Sequence, residues 1–233
     1  YVASLMSFRE ISLFKKILLC WLLILATCPS LPAWGQEQGA ESESREQRPQ
    51  AGILSLLPSD AVTEHVLRGA NGDLSYTTIA GTLDLFGQDG ERNAKIFYTA
   101  YAAKDGAPDR PITFAFNGGP GAASAYLHLG LVGPKILPFE GANADGTQPK
   151  LEDNPESWLA FTDLVLIDPI GTGWSRAADD DTAGRYYNVR QDAESLAKAI
   201  ALYVQKNDRL AAPKYLLGAS YGGFRATQVG VAM

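Results

Sequence analysis

Three short apolar segments each run directly into a glycine-rich loop, and this pattern constrains the fold more than any other feature of the chain. The segments span residues 111–116, 163–167 and 214–217. Continuous apolar runs of this length are typical of strands that are covered on both faces. Between the last two, residues 188–204 place apolar side chains at helical spacing. Strands separated by a helix predict a parallel sheet with helical crossovers, and therefore an α/β fold.

Two longer segments earlier in the chain alternate between apolar and polar residues. They span residues 74–86 and 94–103 and are rich in Thr, Tyr, Ile and Leu. Gly87 and Gly90 lie between them, which predicts a hairpin of two antiparallel strands. The predicted architecture is therefore an antiparallel hairpin that leads into a mainly parallel sheet with crossover helices.

The first 35 residues have the layout of a secretory signal peptide. Arg9, Lys15 and Lys16 precede an apolar run over residues 17–26, and a small-x-small site follows at residues 33–35. The run is shorter than the roughly 20 residues that span a bilayer. We predict cleavage near Gly35 and export to the periplasm or the medium, without a stable membrane anchor. An uncleaved N-terminal anchor is the alternative.

Residues 36–50 are polar and lack apolar periodicity, which predicts a flexible linker before a domain that spans residues 51–233. The chain has 20 Lys and Arg against 26 Asp and Glu residues, and its net charge is −6. A general nucleic-acid binder would show clustered basic residues instead. Two cysteines and two histidines leave little material for a metal site. We therefore expect no nucleic-acid partner, no metal and no cofactor.

The loop after residues 214–217 carries a candidate nucleophile. It reads Gly-Ala-Ser-Tyr-Gly over residues 218–222, with an apolar stretch from 224 to 231 behind it. In a G-x-S-x-G elbow the serine lies on a strained turn between strand and helix, where its hydroxyl is raised above the sheet. The sequence therefore predicts Ser220 as a nucleophile, and an ordinary glycine turn is the alternative.

The other two loops suit acyl transfer better than nucleotide binding. Residues 117–121 read Asn-Gly-Gly-Pro-Gly, and such a loop lets a backbone N–H approach a developing oxyanion. No Gly-Lys-Ser/Thr follows it, so it is not a phosphate loop. Residues 168–175 read Asp-Pro-Ile-Gly-Thr-Gly-Trp-Ser and lack the third glycine of a dinucleotide loop.

Taken in order and spacing, the three loops resemble the serine carboxypeptidase family (peptidase family S10), in a bacterial-type form. The likeness is strongest over residues 112–231 and looser back to Val62. It implies an α/β-hydrolase fold, a peptide substrate with a free C-terminus, and release of its last residue through an acyl-enzyme. By motif position, the resemblance makes Ser220 the nucleophile. It gives the oxyanion N–H groups to Gly119 and Tyr221, and the substrate's carboxylate to Asn117 and Gly118.

Three positions depart from the family pattern. Ala115 stands where members usually have Trp, and Ala219 and Leu131 stand where they usually have Glu. The resemblance assigns all three positions to recognition of the free carboxylate. We therefore expect the hydrolytic chemistry to be kept and strict exopeptidase specificity to be relaxed.

The general base is missing from the expected place. Elbow hydrolases order their triad Ser, then Asp or Glu, then His, but no Asp, Glu or His follows Ser220. His128 is interpreted as a packing residue on the next helix, and His65 lies before the first predicted strand without an evident partner. Asp163 and Asp168 are interpreted as polar residues at strand ends. We expect this chain to be the N-terminal half of a longer enzyme.

Two other functions remain open at this point. An acyl-enzyme can be resolved by an alcohol as readily as by water, which would make the protein an acyltransferase or an esterase. A non-catalytic binding protein with the same fold is the second alternative.

Overall fold

The computed structural model describes residues 52–68, 72–138 and 150–233, and all strands and helices below lie within those ranges. The predicted signal peptide (residues 1–35) and linker (residues 36–50) lie outside the described residues. No helix within these ranges combines the length and the apolar character that crossing a bilayer requires.

An antiparallel ribbon forms the first half of the sheet. It consists of β1 (Ala61–Leu67), β2 (Leu74–Phe86) and β3 (Arg92–Ala103), paired in sequence order. The predicted hairpin between β2 and β3 is confirmed. The sequence did not predict β1, because six of its seven residues are exposed and no apolar alternation marks it. The placement of His65 before the first strand is therefore wrong: His65 lies within β1.

Three parallel strands form the second half, namely β4 (Ile112–Phe116), β7 (Asp163–Ile167) and β9 (Lys214–Gly218). The order across the sheet is β1-β2-β3-β7-β4-β9, with β3 and β7 antiparallel and β4 parallel to both of its neighbours. Three two-residue strands complete the set: β5 (Lys135–Ile136), β6 (Glu152–Asp153) and β8 (Arg176–Ala177). Within the described residues the sheet is thus mixed, with a larger antiparallel share than the sequence predicted.

The helices of the described ranges are α1 (Ala125–Leu127), α2 (Asp180–Arg185), α3 (Val189–Lys206) and α4 (Tyr221–Ala232). α1 continues into a π-helical turn at His128–Val132, and 3₁₀ turns lie at Ile53–Leu56 and Trp158–Ala160. The predicted crossover helix is α3. It begins where the Asn188 side chain accepts a hydrogen bond from the Gln191 N–H at 3.1 Å, a typical N-cap.

Successive residues of the central strands pack against two different cores. Ile112, Phe114 and Phe116 face the core that contains α3 and α4, whereas Ala115 faces the core around Leu127. All five residues of β4 are buried, and full burial of one such Phe side chain contributes about 1.5–3 kcal/mol. This two-sided burial fixes β4 and β7, so the loops at their carboxyl ends start from rigid positions.

Candidate active site

Ser220 lies in a strained turn between β9 and α4. Its backbone has φ 57° and ψ −127°, and its side chain is exposed. Such a conformation costs a non-glycine residue about 1–3 kcal/mol and is found mainly where function requires it. The structure therefore has the strand, strained serine and helix that define a nucleophile elbow.

The glycines on either side of Ser220 are required by close backbone contacts. A Cβ atom on Gly218 would lie 1.9 Å from the Gly222 carbonyl oxygen. A Cβ atom on Gly222 would lie 2.4 Å from the carbonyl oxygen of Phe116, the last residue of β4. Because the obstructing atoms belong to the backbone, no side-chain rotation could relieve either clash. The elbow thus depends on glycine at both positions.

The loop after β4 packs directly on this elbow. A Cβ atom on Gly118 would lie 2.6 Å from the Tyr221 nitrogen and 2.7 Å from the Ala219 carbonyl oxygen. The Ala219 N–H donates to the Phe116 carbonyl at 3.3 Å, which joins the two loops through the backbone. The structure therefore brings Gly118 and Tyr221 together, and Gly119 follows at an exposed position.

Asn117 is buried and is hydrogen-bonded to residues that follow its loop. Its side-chain Oδ1 accepts a hydrogen bond from the Leu127 N–H at 3.0 Å, which fixes α1 behind the loop. Its backbone N–H donates to Ser124 Oγ at 3.4 Å. The side-chain oxygen is thus used structurally, which leaves the amide nitrogen as the group suited to a substrate carboxylate.

The third loop supports the first through buried hydrogen bonds. Asp168 Oδ1 accepts from the Ser124 N–H at 2.8 Å, and Oδ2 accepts from the Trp174 N–H at 3.3 Å. Burial raises the pKa of Asp168, and these two N–H donors act in the opposite direction. Ser175 Oγ donates to the Asp168 carbonyl at 2.6 Å. Since Ser124 and Ser175 are 2% and 0% exposed, Ser220 is the accessible serine of these loops.

Asp163 belongs to the opposite end of β7, where it forms ion pairs. Its carboxylate contacts Arg110 Nε at 3.0 Å and Arg209 Nη1 at 2.7 Å. Both Asp163 and Asp168 are thus strand-end residues with structural partners, as the sequence indicated.

The two histidines have aromatic partners. His128 Nε2 is hydrogen-bonded to the Tyr101 hydroxyl, and burial lowers the pKa of His128 to about 4. This geometry agrees with the interpretation of His128 as a packing residue. His65 stacks on Tyr76 with ring centroids 5.5 Å apart, and its Nε2 lies 2.9 Å from Thr63 Oγ1. These partners of His65 were missed, because exposed strand residues give no periodic signal.

Sequence reasoning also missed a buried ion pair beside the elbow. Arg225 Nε on α4 lies 2.7 Å from Asp192 Oδ2 on α3. The buried stripe of α4 consists of Gly222, Arg225, Ala226 and Val229. The sequence signal that could have revealed the pair was a charged residue on this otherwise apolar stripe. Both members of the pair line a cavity of about 470 Å³ that also borders Tyr221 and Gly121.

The three departures from the family pattern occupy different surroundings. Ala115 is fully buried in β4, Ala219 is partly buried against the core around Leu127, and Leu131 is 56% exposed. Over the described ranges, no cluster of three or more His, Cys, Asp or Glu side chains could hold a metal ion.

Comparison with known proteins agrees with this geometry. The chain is 32% identical over 181 residues to the pheromone-processing carboxypeptidase kex1 of Sclerotinia sclerotiorum, covering 73% of this chain and 26% of that protein. It is 29% identical over 164 residues to serine carboxypeptidase 1 of Hordeum vulgare, covering 67% and 30%. The chain therefore spans about a quarter to a third of the length of these curated relatives.

A solved structure shows the fold. The crystal structure of Kex1(delta)p, a prohormone-processing carboxypeptidase from Saccharomyces cerevisiae, superposes with a TM-score of 0.51 at 27% identity, over 67% of this chain and 33% of that chain. The predicted α/β-hydrolase class is thus confirmed. The model of the serine carboxypeptidase family matches residues 71–231, a range that contains all three glycine-rich loops. The chain belongs to the serine carboxypeptidase family.

Proposed function

We propose that this protein is a serine-type carboxypeptidase in which Ser220 forms the acyl-enzyme. The observation that carries the proposal is the strained, exposed Ser220 between two glycines that admit no side chain. The contact of Gly118 with the Tyr221 nitrogen supports an oxyanion hole built from the Gly119 and Tyr221 N–H groups. Asn117 and Gly118 would bind the terminal carboxylate of a peptide substrate.

The reaction follows from these roles. Ser220 Oγ attacks the scissile carbonyl carbon while a general base removes the hydroxyl proton, and the carbonyl oxygen becomes an oxyanion held by the two N–H groups. The C–N bond then breaks as the leaving amine takes a proton. Water hydrolyses the resulting ester and restores the serine.

We assign the role of general base to none of the described residues. No Asp, Glu or His follows Ser220 in the sequence, and His128 is engaged with Tyr101. We propose that the triad Asp and His belong to a part of a longer protein outside this chain. Export through the residue 1–35 segment, to the periplasm or the medium in a bacterial-type host, is part of the same proposal.

The test is covalent labelling of the complete protein. A fluorophosphonate should label Ser220, and Ser220→Ala should lower kcat on a peptide by about 10⁴-fold while binding persists. Labelling at Ser124 or Ser175 would contradict the assignment. An inert wild-type protein that still binds peptide would favour a non-catalytic binding protein.

One observation supports a second function. Ala219 and Leu131 replace the acids that the family resemblance assigns to carboxylate recognition. A site without them has less means of selecting a free C-terminus, so esters become possible acyl donors and alcohols possible acceptors. Product analysis with matched peptide and ester donors distinguishes hydrolysis from acyl transfer.

A further inference from the structure

Arg225 is a charged residue in a place that favours apolar ones. It lies on the buried stripe of α4 and is 4% exposed. Burying an unpaired charge is strongly unfavourable, so its guanidinium group needs partners. One partner is Asp192 of α3, whose Oδ2 lies 2.7 Å from Arg225 Nε. The side chains of Arg225 and Asp192 are 3% and 16% exposed, so the pair is shielded from solvent.

The second partner is the backbone of the glycine loop. Arg225 Nη1 donates to the Asn117 carbonyl oxygen at 2.6 Å. Because the peptide group is planar, this bond also fixes the direction of the Gly118 N–H in the same plane. The next peptide group carries the Gly119 N–H, one of the two proposed oxyanion donors. Arg225 therefore restrains the chain one peptide unit before that donor.

The third contact reaches the other donor. The guanidinium carbon of Arg225 lies 5.0 Å from the ring centroid of Tyr221, within the range of a cation–π interaction. Tyr221 supplies the other proposed oxyanion N–H. One buried guanidinium group thus contacts both loops of the proposed oxyanion hole, and Asp192 holds it in place from α3.

We propose that Arg225, oriented by Asp192, is a positioning residue that fixes the Gly119 and Tyr221 N–H groups relative to each other. The inference rests on the proposed function, because it gives those N–H groups a catalytic task. A displacement of about 1 Å at a catalytic group can cost about 10²-fold in rate. Removing the bond to the Asn117 carbonyl should therefore lower kcat more than it raises KM.

Arg209 provides a matched control elsewhere in the fold. Its Nη1 contacts Asp163 Oδ2 at 2.7 Å and its Nη2 donates to the Arg110 carbonyl at 2.6 Å. Arg209 thus also joins one buried carboxylate and one backbone carbonyl. These partners lie at the amino ends of β4 and β7, whereas Ser220 follows the carboxyl end of β9. Arg209 is more exposed than Arg225, at 19% against 3% of the side chain, and it shares its carboxylate with Arg110. Its carbonyl partner supports no part of the proposed oxyanion hole.

The experiment uses the complete protein with four variants. Arg225→Lys keeps the charge but loses the planar fork that reaches both partners, and Asp192→Asn removes the charge that orients the arginine. Arg209→Lys is the control. The double variant Arg225→Met with Asp192→Leu replaces the ion pair by apolar groups, an exchange that often leaves stability intact.

Each variant is compared by melting temperature, kcat, KM and the rate of fluorophosphonate labelling at Ser220. We expect Arg225→Lys and Asp192→Asn to lower kcat and labelling about 10- to 100-fold with KM within about threefold of the wild-type value. Arg209→Lys should lower the melting temperature and keep kcat. The double variant should lose only the stability that an unpaired Asn117 carbonyl costs, and it should still have low kcat because nothing donates to that carbonyl.

Recovery of kcat in the double variant, or equal kcat effects in Arg225→Lys and Arg209→Lys, would show a purely structural pair and overturn the inference. A rise in KM confined to peptides with a free carboxylate, with kcat unchanged, would mean that Arg225 supports carboxylate binding, directly or through the Gly118 N–H, and not the oxyanion donors, which also contradicts it. A wild-type protein that is not labelled at Ser220 would refute the proposed function, and with it the inference. A labelled wild type with unaffected Arg225 variants would refute only the inference.

Discussion

Gly222 offers a sharp test of the elbow, because its neighbour in sequence serves as a control. In Gly222→Ala the new Cβ atom would lie 2.4 Å from the Phe116 carbonyl oxygen and 3.1 Å from the Asn117 carbonyl oxygen. An ordinary contact is about 3.5–4 Å, so the elbow and the end of β4 must separate by about 1 Å. Overpacking of this kind costs about 1–3 kcal/mol of folding free energy. The same displacement moves Ser220 relative to the glycine loop and should cost about 10²-fold in rate.

Gly223→Ala introduces the same methyl group one residue later in α4. Its Cβ atom would meet only the Gly218 carbonyl oxygen, at 3.7 Å, an ordinary contact. Because alanine is favoured over glycine within a helix by up to about 1 kcal/mol, this variant should be as stable as the wild type or slightly more so.

The assay measures the second-order rate of fluorophosphonate labelling at Ser220 and the melting temperature of each variant of the complete protein. Gly222→Ala should lose about 10²-fold in labelling rate and should melt at a lower temperature. Gly223→Ala should match the wild type in labelling. Equal behaviour of the two variants would refute the steric reasoning, and so would a Gly222→Ala protein with normal labelling.

Three further predictions follow from strain, burial and the missing acids. Ser220→Gly and Ser220→Ala should both be inactive. The unfolding free energy of Ser220→Gly should be higher than that of Ser220→Ala by about 1 kcal/mol, because glycine adopts a φ of 57° without strain. Equal stability of the two variants would argue against a strained elbow. Burial lowers the pKa of His128 from 6.5 to about 4, so the unfolded chain binds a proton in this window that the native state does not. Denaturant titrations should therefore show the free energy of unfolding falling as the pH drops from about 6.5 to about 4, and this contribution should be constant above about pH 6.5. His128→Gln should reduce the dependence of the unfolding free energy on pH more than His65→Gln does. With Ala219 and Leu131 in place of acids, kcat/KM on peptides should rise through about pH 6–7, as the triad histidine becomes neutral, and amidated peptides should be accepted; an optimum near pH 4–5 with rejection of the amide would contradict this.

The parts of the fold that sequence could predict are those in which burial follows a local pattern. β4 and β7 are buried on both faces, and each appears as a mostly apolar run, interrupted only by Thr113 in β4 and begun by Asp163 in β7. β1 has no such pattern, since it is held by backbone pairing to β2 while six of its seven residues remain exposed. The antiparallel share exceeds the prediction because β1 pairs with β2 and because β3 pairs antiparallel with β7, an orientation that no local pattern records. Pairing of exposed strands depends on the backbone, which every residue provides alike.

The same distinction applies to the site. The sequence could predict the need for glycine at three positions, because a Cβ atom there would clash with the backbone and the short motifs place glycine at each of them: Gly118, Gly218 and Gly222. The pair of Arg225 and Asp192 could not, since its members lie on different helices and meet only in the folded chain. Neither could the engagement of the Asn117 side-chain oxygen with the Leu127 N–H. Contacts between segments that are distant in sequence produce no local pattern of residue types from which they could be predicted.

The geometry of this site separates the proposed chemistry from the specificity. The proposed chemistry needs a raised serine and two backbone N–H groups, and the elements that set them are glycine contacts, a strained turn and buried hydrogen bonds. Side-chain changes at Ala219 or Leu131 leave those backbone elements in place. The proposed carboxylate contacts combine Asn117 and the Gly118 N–H with side chains at positions 131 and 219, so recognition can weaken at those two positions without disturbing the elbow. Under the proposed roles, this scaffold keeps its nucleophile while its choice of substrate relaxes, and positions 115, 131 and 219 are where the sequence departs from the pattern that the family resemblance gives.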